Sequence, residues 1–212
     1  MRPNLKEEKK LWKKGFRRVA CLDEVGRGPL CGPVVACAVT INKGFNLSGS
    51  SNLNQVRDSK KLSAKKREEL YRVLTCHQDI EWGIGRVSEK VIDRINIFQA
   101  TKMAMEKAIK KLQSKIAKVR PSSIDYLILD GKIALKVDIP QKSIVKADEK
   151  VFSVACASII AKVIRDRIMQ RYDKKYPVYG LKKHKGYPTV FHKSMLKKYG
   201  ISEIHRKSFH LT

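Results

Sequence analysis

The segment that most constrains this chain is Val19-Ala20-Cys21-Leu22 followed by Asp23-Glu24-Val25-Gly26-Arg27-Gly28-Pro29. An apolar run that ends in two adjacent carboxylates and a glycine turn reads as a strand delivering charge to a sheet edge, where a ligand can reach it. Residues 33–41 are β-branched, so a hairpin is expected, its first strand over residues 18–25. The acids stand out because the rest of the chain is basic: 46 Lys and Arg against 20 Asp and Glu, a formal charge of +26 over 212 residues. That excess is more than a small domain needs for solubility and implies a polyanionic partner, nucleic acid above all. No strongly amphipathic basic helix stands out to favour a membrane surface. The acids are therefore expected to hold divalent metal against a phosphodiester.

Several classes fall away. Hydrophobic residues make up 42%, enough for one domain, or one domain with a small appendage, and too many for wholesale disorder. No run of 18 apolar residues predicts a membrane span, and the first ten residues lack the apolar stretch of a secretory signal. Five cysteines, at 21, 31, 37, 76 and 156, form no C-x-x-C pair. They read as reduced core residues of a cytoplasmic protein, with no disulfide frame, zinc site or nucleophile among them.

Along the chain, residues 1–16 are expected to form a basic arm with a short, loosely packed helix anchored by Leu11 and Trp12. A loop at 43–57 leads to Asp58-Ser59-Lys60-Lys61-Leu62-Ser63, where Ser63 is the expected N-cap of a helix through 75. A third strand is predicted at 80–87, a short helix near 88–92, and a long helix over 96–119 stopped by Pro121. A fourth strand at 124–129 ends at Asp130-Gly131, a fifth is predicted at 143–146, and a helix runs from Asp148 to about 174. Residues 177–212, rich in Lys, His and Tyr, are expected to form a helical appendage. The order β-β-α-β-α-β-β-α implies an α/β sheet with an antiparallel start.

Asp130 and Asp148 thus join Asp23 and Glu24 at strand ends or strand-to-helix junctions, and oxygen-only ligands suit Mg²⁺ or Mn²⁺. Each also has a plainer reading: Asp148 as an N-cap, Asp130 as part of an Asp-Gly turn. Asp23 and Glu24 are harder to explain away, although neighbours on a regular strand point to opposite faces. Asp166 is excluded: 18 residues along an unbroken helix from Asp148, it would lie about 27 Å away, and Lys162 offers it an ion pair.

These residues, with Gly32-Pro33-Val34-Val35, Asp58-Ser59-Lys60-Lys61-Leu62-Ser63, Leu129-Asp130-Gly131, Lys146-Ala147-Asp148, the run from Ala157 to Val163, His184-Lys185-Gly186-Tyr187-Pro188-Thr189 and Ile204-His205-Arg206-Lys207-Ser208-Phe209, make the chain resemble type 2 ribonuclease H, ribonuclease HII, over residues 17–209. Counting 23–35 and 146–163 as one each, six such segments in the family's order make coincidence a poor explanation. The resemblance implies an α/β, RNase H-like mixed five-stranded sheet flanked by helices over residues 17–176, with a C-terminal helical extension at 177–212 that contributes to substrate binding. It implies endonucleolytic cleavage of RNA in RNA–DNA hybrids and of duplex DNA at embedded ribonucleotides, leaving 5′-phosphate and 3′-hydroxyl ends. It maps the catalytic, metal-binding acids onto Asp23, Glu24, Asp130 and Asp148, holding two Mn²⁺ or Mg²⁺ ions. It maps the sugar-reading turn onto Gly26, Arg27 and Gly28, and the ribonucleotide-sensing tyrosine onto Tyr187. Lys60 and Lys61 are expected phosphate contacts. Lys182, Lys183, His184 and Lys185 form a second basic cluster, and His205 and Arg206 read either as further contacts or as a helix cap.

Cys31, Cys37 and Cys156 stand where the family pattern leads one to expect Ala or another small residue, and no sliding-clamp peptide follows at the C-terminus. Ribonuclease HIII has similar acids but a larger N-terminal domain than sixteen residues can form. A monomer is expected. The competing readings are a non-catalytic nucleic-acid binder and a DNA nuclease on the same fold.

Overall fold

The hairpin expected around residues 26–33 forms. In the computed structural model, which describes residues 2–47, 53–119 and 122–210, β1 (Val19–Val25) pairs antiparallel with β2 (Val34–Ile41), with Asp23 opposite Cys37 and Glu24 opposite Ala36. β3 (Ile80–Val87) continues antiparallel on β2. β4 (Tyr126–Asp130) and β5 (Gln141–Ile144) extend the other side in parallel, giving the order β3-β2-β1-β4-β5. The helices are α1 (Lys6–Lys13), α2 (Ala64–Cys76), α3 (Glu89–Val119), α4 (Phe152–Lys175), α5 (Leu181–His184) and α6 (Val190–Tyr199).

Strand alternation sends Ala20, Leu22, Val34, Ala36 and Ala38 to one face, where they meet Ala104, Ala108 and Leu112 of α3. Val35, Cys37 and Val39 face α4 and α2 on the other side, against Ala155, Ile159, Ile160, Leu70 and Leu74. Gly83 and Gly85 have a packing reason: a Cβ on Gly85 would lie 1.8 Å from the Ala104 carbonyl oxygen, and one on Gly83 2.4 Å from the Leu112 nitrogen. The backbone of α3 rests directly on β3, which only glycine permits.

The short helix and the long helix are both present as expected: α3 is broken at Asn96 (φ 63°, ψ 166°), whose Oδ1 accepts from Gln99 N at 3.0 Å and caps the second, longer part. Other local expectations are corrected. Pro121 lies outside the described residues. β5 begins two residues earlier than predicted. The helix expected from Asp148 starts at Phe152, because Lys146 turns left-handed (φ 56°) and residues 147–149 form a single 3₁₀ turn. Asp148 is therefore not its N-cap. Glu8 of the N-terminal arm takes that role, its Oε1 accepting from Ser153 N at 3.1 Å and Ser153 Oγ at 2.7 Å. The arm is docked, with Leu5, Leu11, Trp12 and Glu8 all buried and Asn4 bonded to Lys150 and Phe152 through the main chain.

The C-terminal segment has its own apolar cluster, where Tyr179, Leu181, Leu196 and Ile204 close over Leu30, Cys31 and Met169. It is packed onto the loop that follows β1. No described helix is long and apolar enough to cross a membrane.

Candidate active site

The acids sit at the end of the sheet where β1 and β4 stop. Leu22 pairs with Leu129 in parallel register, so Asp23 and Asp130, the next residue of each strand, end side by side. Asp130 Oδ1 accepts from Ala147 N at 2.6 Å, which fastens the turn carrying Asp148 to β4. Asp23 is buried, and its Oδ1 accepts from Glu24 N at 2.7 Å. Pleating holds between them: Asp23 is bonded by Ser158 of α4, whereas Glu24 leans to Arg27, whose Nη1 is 3.3 Å from Oε1. Asp130 nonetheless acts on both carboxylates electrostatically. Among the described residues, no three of these carboxylates bring their oxygens within 4.8 Å of one another.

Burial and mutual repulsion set the protonation of the group. Asp23 is pushed well above the usual carboxylate range by burial, then by Glu24, Asp130 and Asp148, with the Ser158 hydrogen bond opposing. Burial also raises Glu24, against the pull of Arg27. Asp148 is raised to about 6 by burial first, then by Asp130 and Asp58. On Lys60, burial lowers the ammonium but the attraction of Asp58, Asp148, Asp23 and Asp130 outweighs it, and its pKa rises.

The remaining predicted residues divide. Lys60 is brought to the acids. Lys61 is turned to Glu149, 3.0 Å away. Gly26 has φ +98°, and a Cβ there would lie 2.2 Å from Arg165 Nε. Gly28 faces Tyr187, whose Cε1 would be 3.7 Å from a Cβ, and the Tyr187 ring is 40% exposed beside it. Lys182 and Lys183 face solvent, but the His184 ring bonds Tyr179 O at 2.8 Å and Gly186 N at 3.2 Å. His205 and Arg206 are buried, so neither of the roles expected for them holds.

Three further residues, Asp58, Ser59 and Ser158, join the site. Asp58 is buried, shares a hydrogen bond with Asp148, and accepts from Lys60 N at 2.9 Å. Ser59 Oγ lies 2.9 Å from Ser158 Oγ, which in turn serves Asp23. A polar Ser158 within a run of small apolar helix residues was the available signal.

Cys31, His192 and His205 also bring ligand-type atoms within 4.8 Å of one another. Their hydrogen bonds complete them without an ion. His192 Nδ1 donates to Tyr187 O at 3.0 Å, which leaves its Nε2 a lone pair. His205 Nδ1 accepts from Ser202 N at 3.0 Å, so its Nε2 carries the proton and donates across 3.2 Å to His192. A metal on His205 Nε2 would need an imidazole stripped of both protons.

A cavity of about 630 Å³ lies at the opposite end of β1, lined by Arg17, Arg18, Asn42, Lys43 and Asp125 among others. The acids occupy the other end of the sheet.

Comparison with known proteins agrees with this fold. The chain is 45% identical over 210 residues to ribonuclease HII of Alkaliphilus metalliredigens, covering 97% of this chain and 96% of that one. It is 48% identical over 202 residues to ribonuclease HII of Enterococcus faecalis, covering 95% and 73%. Among solved structures, ribonuclease H2 from Pyrococcus horikoshii superposes with a TM-score of 0.71 at 28% identity, over 92% of this chain and 94% of that one. Ribonuclease HII in the PCNA complex from Archaeoglobus fulgidus gives 0.69 at 26%, over 92% and 96%. An RNase HIII (Bst) in complex with Mn²⁺ gives 0.67 at 18%, over 92% and 68%, a likeness of fold. With the family model for ribonuclease HII matching residues 20–212, the chain belongs to the ribonuclease HII family and is a ribonuclease H.

Proposed function

We propose that this ribonuclease H cuts the RNA strand of RNA–DNA hybrids, and duplex DNA at embedded ribonucleotides, leaving 5′-phosphate and 3′-hydroxyl ends. The observation that carries the reading is the pairing of β1 with β4, which sets Asp23 beside Asp130 one residue before Glu24 and three before the Gly26 turn. Cutting and sugar recognition then share one strand end.

Asp23, Glu24, Asp130 and Asp148 fit divalent cations. They offer oxygen donors only, three of them have their charged forms disfavoured by burial and by one another, and Lys60, Lys61 and Arg27 are cations that act on them within the protein. Two bound Mn²⁺ or Mg²⁺ ions would supply charge neutralisation at the phosphodiester and a more acidic water. The protein's own groups do the rest. Asp130 and Asp58 fix the turn of Asp148 from two sides. Main-chain groups of residues 26–28 meet the 2′-hydroxyl, and Tyr187 stacks on or hydrogen-bonds the junction sugar. Lys60 meets a phosphate at the acids, while Lys182 and Lys183 hold the backbone from outside. We read Lys61 as a weaker contact, since Glu149 already holds it. In this reading the protein acts as a cytoplasmic monomer, with residues 17–176 catalytic and 177–212 gripping substrate.

A duplex with one ribonucleotide, an RNA–DNA hybrid and an all-DNA duplex, each incubated with Mn²⁺ and then with excess EDTA, test this. The expected result is cutting of the first two only, stopped by EDTA. Binding without cutting would favour the plain binder, and comparable cutting of all-DNA the DNA nuclease.

A further inference from the structure

Beneath the turn at residues 26–28 lie two arginines that no step above uses. Arg165 of α4 and Arg206 near the C-terminus are each 0% exposed. Every hydrogen bond they donate among the described residues ends on a main-chain carbonyl. Arg165 reaches Pro33 O at 3.0 Å, Lys185 O at 3.0 Å and Cys31 O at 3.1 Å. Arg206 reaches Gly32 O at 3.0 and 2.8 Å, Arg27 O at 2.9 Å and Gly26 O at 2.6 Å. Two neighbouring buried cations, with no carboxylate in hydrogen-bond contact among the described residues and only Glu89, Asp93 and Asp166 attracting them from further off, are an expensive way to hold a loop, which apolar residues would pack as well.

Their effect on the turn follows from the peptide plane, in which C=O and N–H point opposite ways. Drawing the Gly26 and Arg27 carbonyls inward onto Arg206 sends the Arg27 and Gly28 N–H groups outward. Among the described residues neither N–H has a protein acceptor. A cation on the carbonyl side also polarises the peptide and strengthens the N–H as a donor. Arg165 joins the same loop to the carbonyl two residues before Tyr187, and Gly26 has no side chain so that this guanidinium can lie against it. Main-chain bonds complete the assembly: Leu30 N to Gly186 O at 2.8 Å, Gly32 N to Ile204 O at 2.8 Å and Arg206 N to Leu30 O at 2.9 Å.

We propose that Arg206 and Arg165 are positioning residues for ribonucleotide recognition: they aim the Arg27 and Gly28 N–H groups outward and fix the gap to Tyr187, so that a sugar 2′-hydroxyl meets preformed donors. The inference rests on reading residues 26–28 as the sugar-contacting turn. Neither arginine touches substrate.

Arg206→Lys and Arg165→Lys keep the charge but cannot span several carbonyls at once. Measured on the single-ribonucleotide duplex, each is expected to lose about 10–100-fold in kcat, the scale for removing a group that orients others. KM and affinity for an all-DNA duplex should change less than about threefold. Asp93→Asn loosens the same C-terminal segment, which Asp93 holds through Lys207 N and Ser208 N at 3.1 and 2.9 Å; its charge is felt by Arg206, but it bonds to neither guanidinium nor turn and leaves the carbonyl contacts of Arg206 in place. It should lower the melting temperature and leave kcat within about twofold. Gly28→Ala tests the parent reading separately, since its Cβ fits the fold yet narrows the gap to Tyr187. Full kcat in both Arg→Lys variants with a loss in Gly28→Ala overturns the inference alone, and full kcat in all three removes the parent reading too. Losses that track melting temperature across Asp93→Asn and the arginine variants, or failure of both arginine variants to fold, make the role structural and overturn the inference.

Discussion

The carboxylates at the ends of β1 and β4 and the guanidinium pair under the neighbouring turn are both buried clusters of one sign, and they are finished differently. Arg165 and Arg206 spend their donors on carbonyls of residues 26, 27, 31, 32, 33 and 185. Asp23 and Asp130 each accept a single main-chain N–H through Oδ1 and remain crowded by like charge. A cluster completed from within holds and orients what lies over it. A cluster left incomplete, with its charged form disfavoured, is where we propose that a cation binds.

The largest effect should come from the incomplete cluster. Asp130→Asn keeps the shape and an acceptor for Ala147 N, and is expected to lower cleavage of the single-ribonucleotide duplex by at least about 10³-fold, the scale of losing preorganised transition-state stabilisation. Binding of the same duplex, measured by fluorescence anisotropy, should be largely kept; full activity would break the contrast. Next comes the completed cluster: Gly26→Ala adds a Cβ at φ +98° and 2.2 Å from Arg165 Nε, so chemical denaturation should show a loss of about 2–4 kcal/mol.

Another buried acid lies on the N-terminal arm. Glu8 caps α4 through Oε1 on Ser153 N and Oγ, its Oε2 is buried without a hydrogen-bond partner among the described residues, and its removal should register in stability alone. Glu8→Ala is expected to cost about 1–2 kcal/mol and leave kcat within about twofold.

The smallest effect is a titration beneath the turn. His205 is held down to about 4 by burial first and then by His192, with Cys31, Tyr179 and Ser202 as its other neighbours. The unfolded chain takes up that proton near 6.5. Between the two values the unfolded state holds more protons, so stability is fully present above about 6.5 and falls as pH drops towards about 4. His205→Asn keeps an acceptor for Ser202 N, and melting temperatures across that window should show a shallower slope than the wild type.

Legibility followed the reach of each interaction. Asp23, Glu24 and Asp130 were visible because a strand end carries a local signature, and the β1–β2 hairpin because its turn does. Asp58 and Ser158 were not, since what they do depends on α4 meeting the turn before α2. From the sequence Arg206 reads as a backbone contact or a helix cap, both of them roles at a surface or a helix end; its burial needs three segments to converge. The start of α4 was misplaced for the same reason: Asp148 looks like an N-cap locally, but Lys146 turns left-handed and the acceptor comes from Glu8, 145 residues away.

The central claim is that the four acids form the incomplete, cation-seeking cluster, and ion binding tests it without relying on catalysis. Melting temperatures of the wild type and of Asp23→Asn and Asp130→Asn should be followed as Mn²⁺ is titrated into EDTA-stripped protein. At about 100 times the dissociation constant the wild type should gain about 2.7 kcal/mol, a rise of several degrees, while either variant gains little at the same concentration. Equal stabilisation of all three, or none of the wild type, would contradict the account.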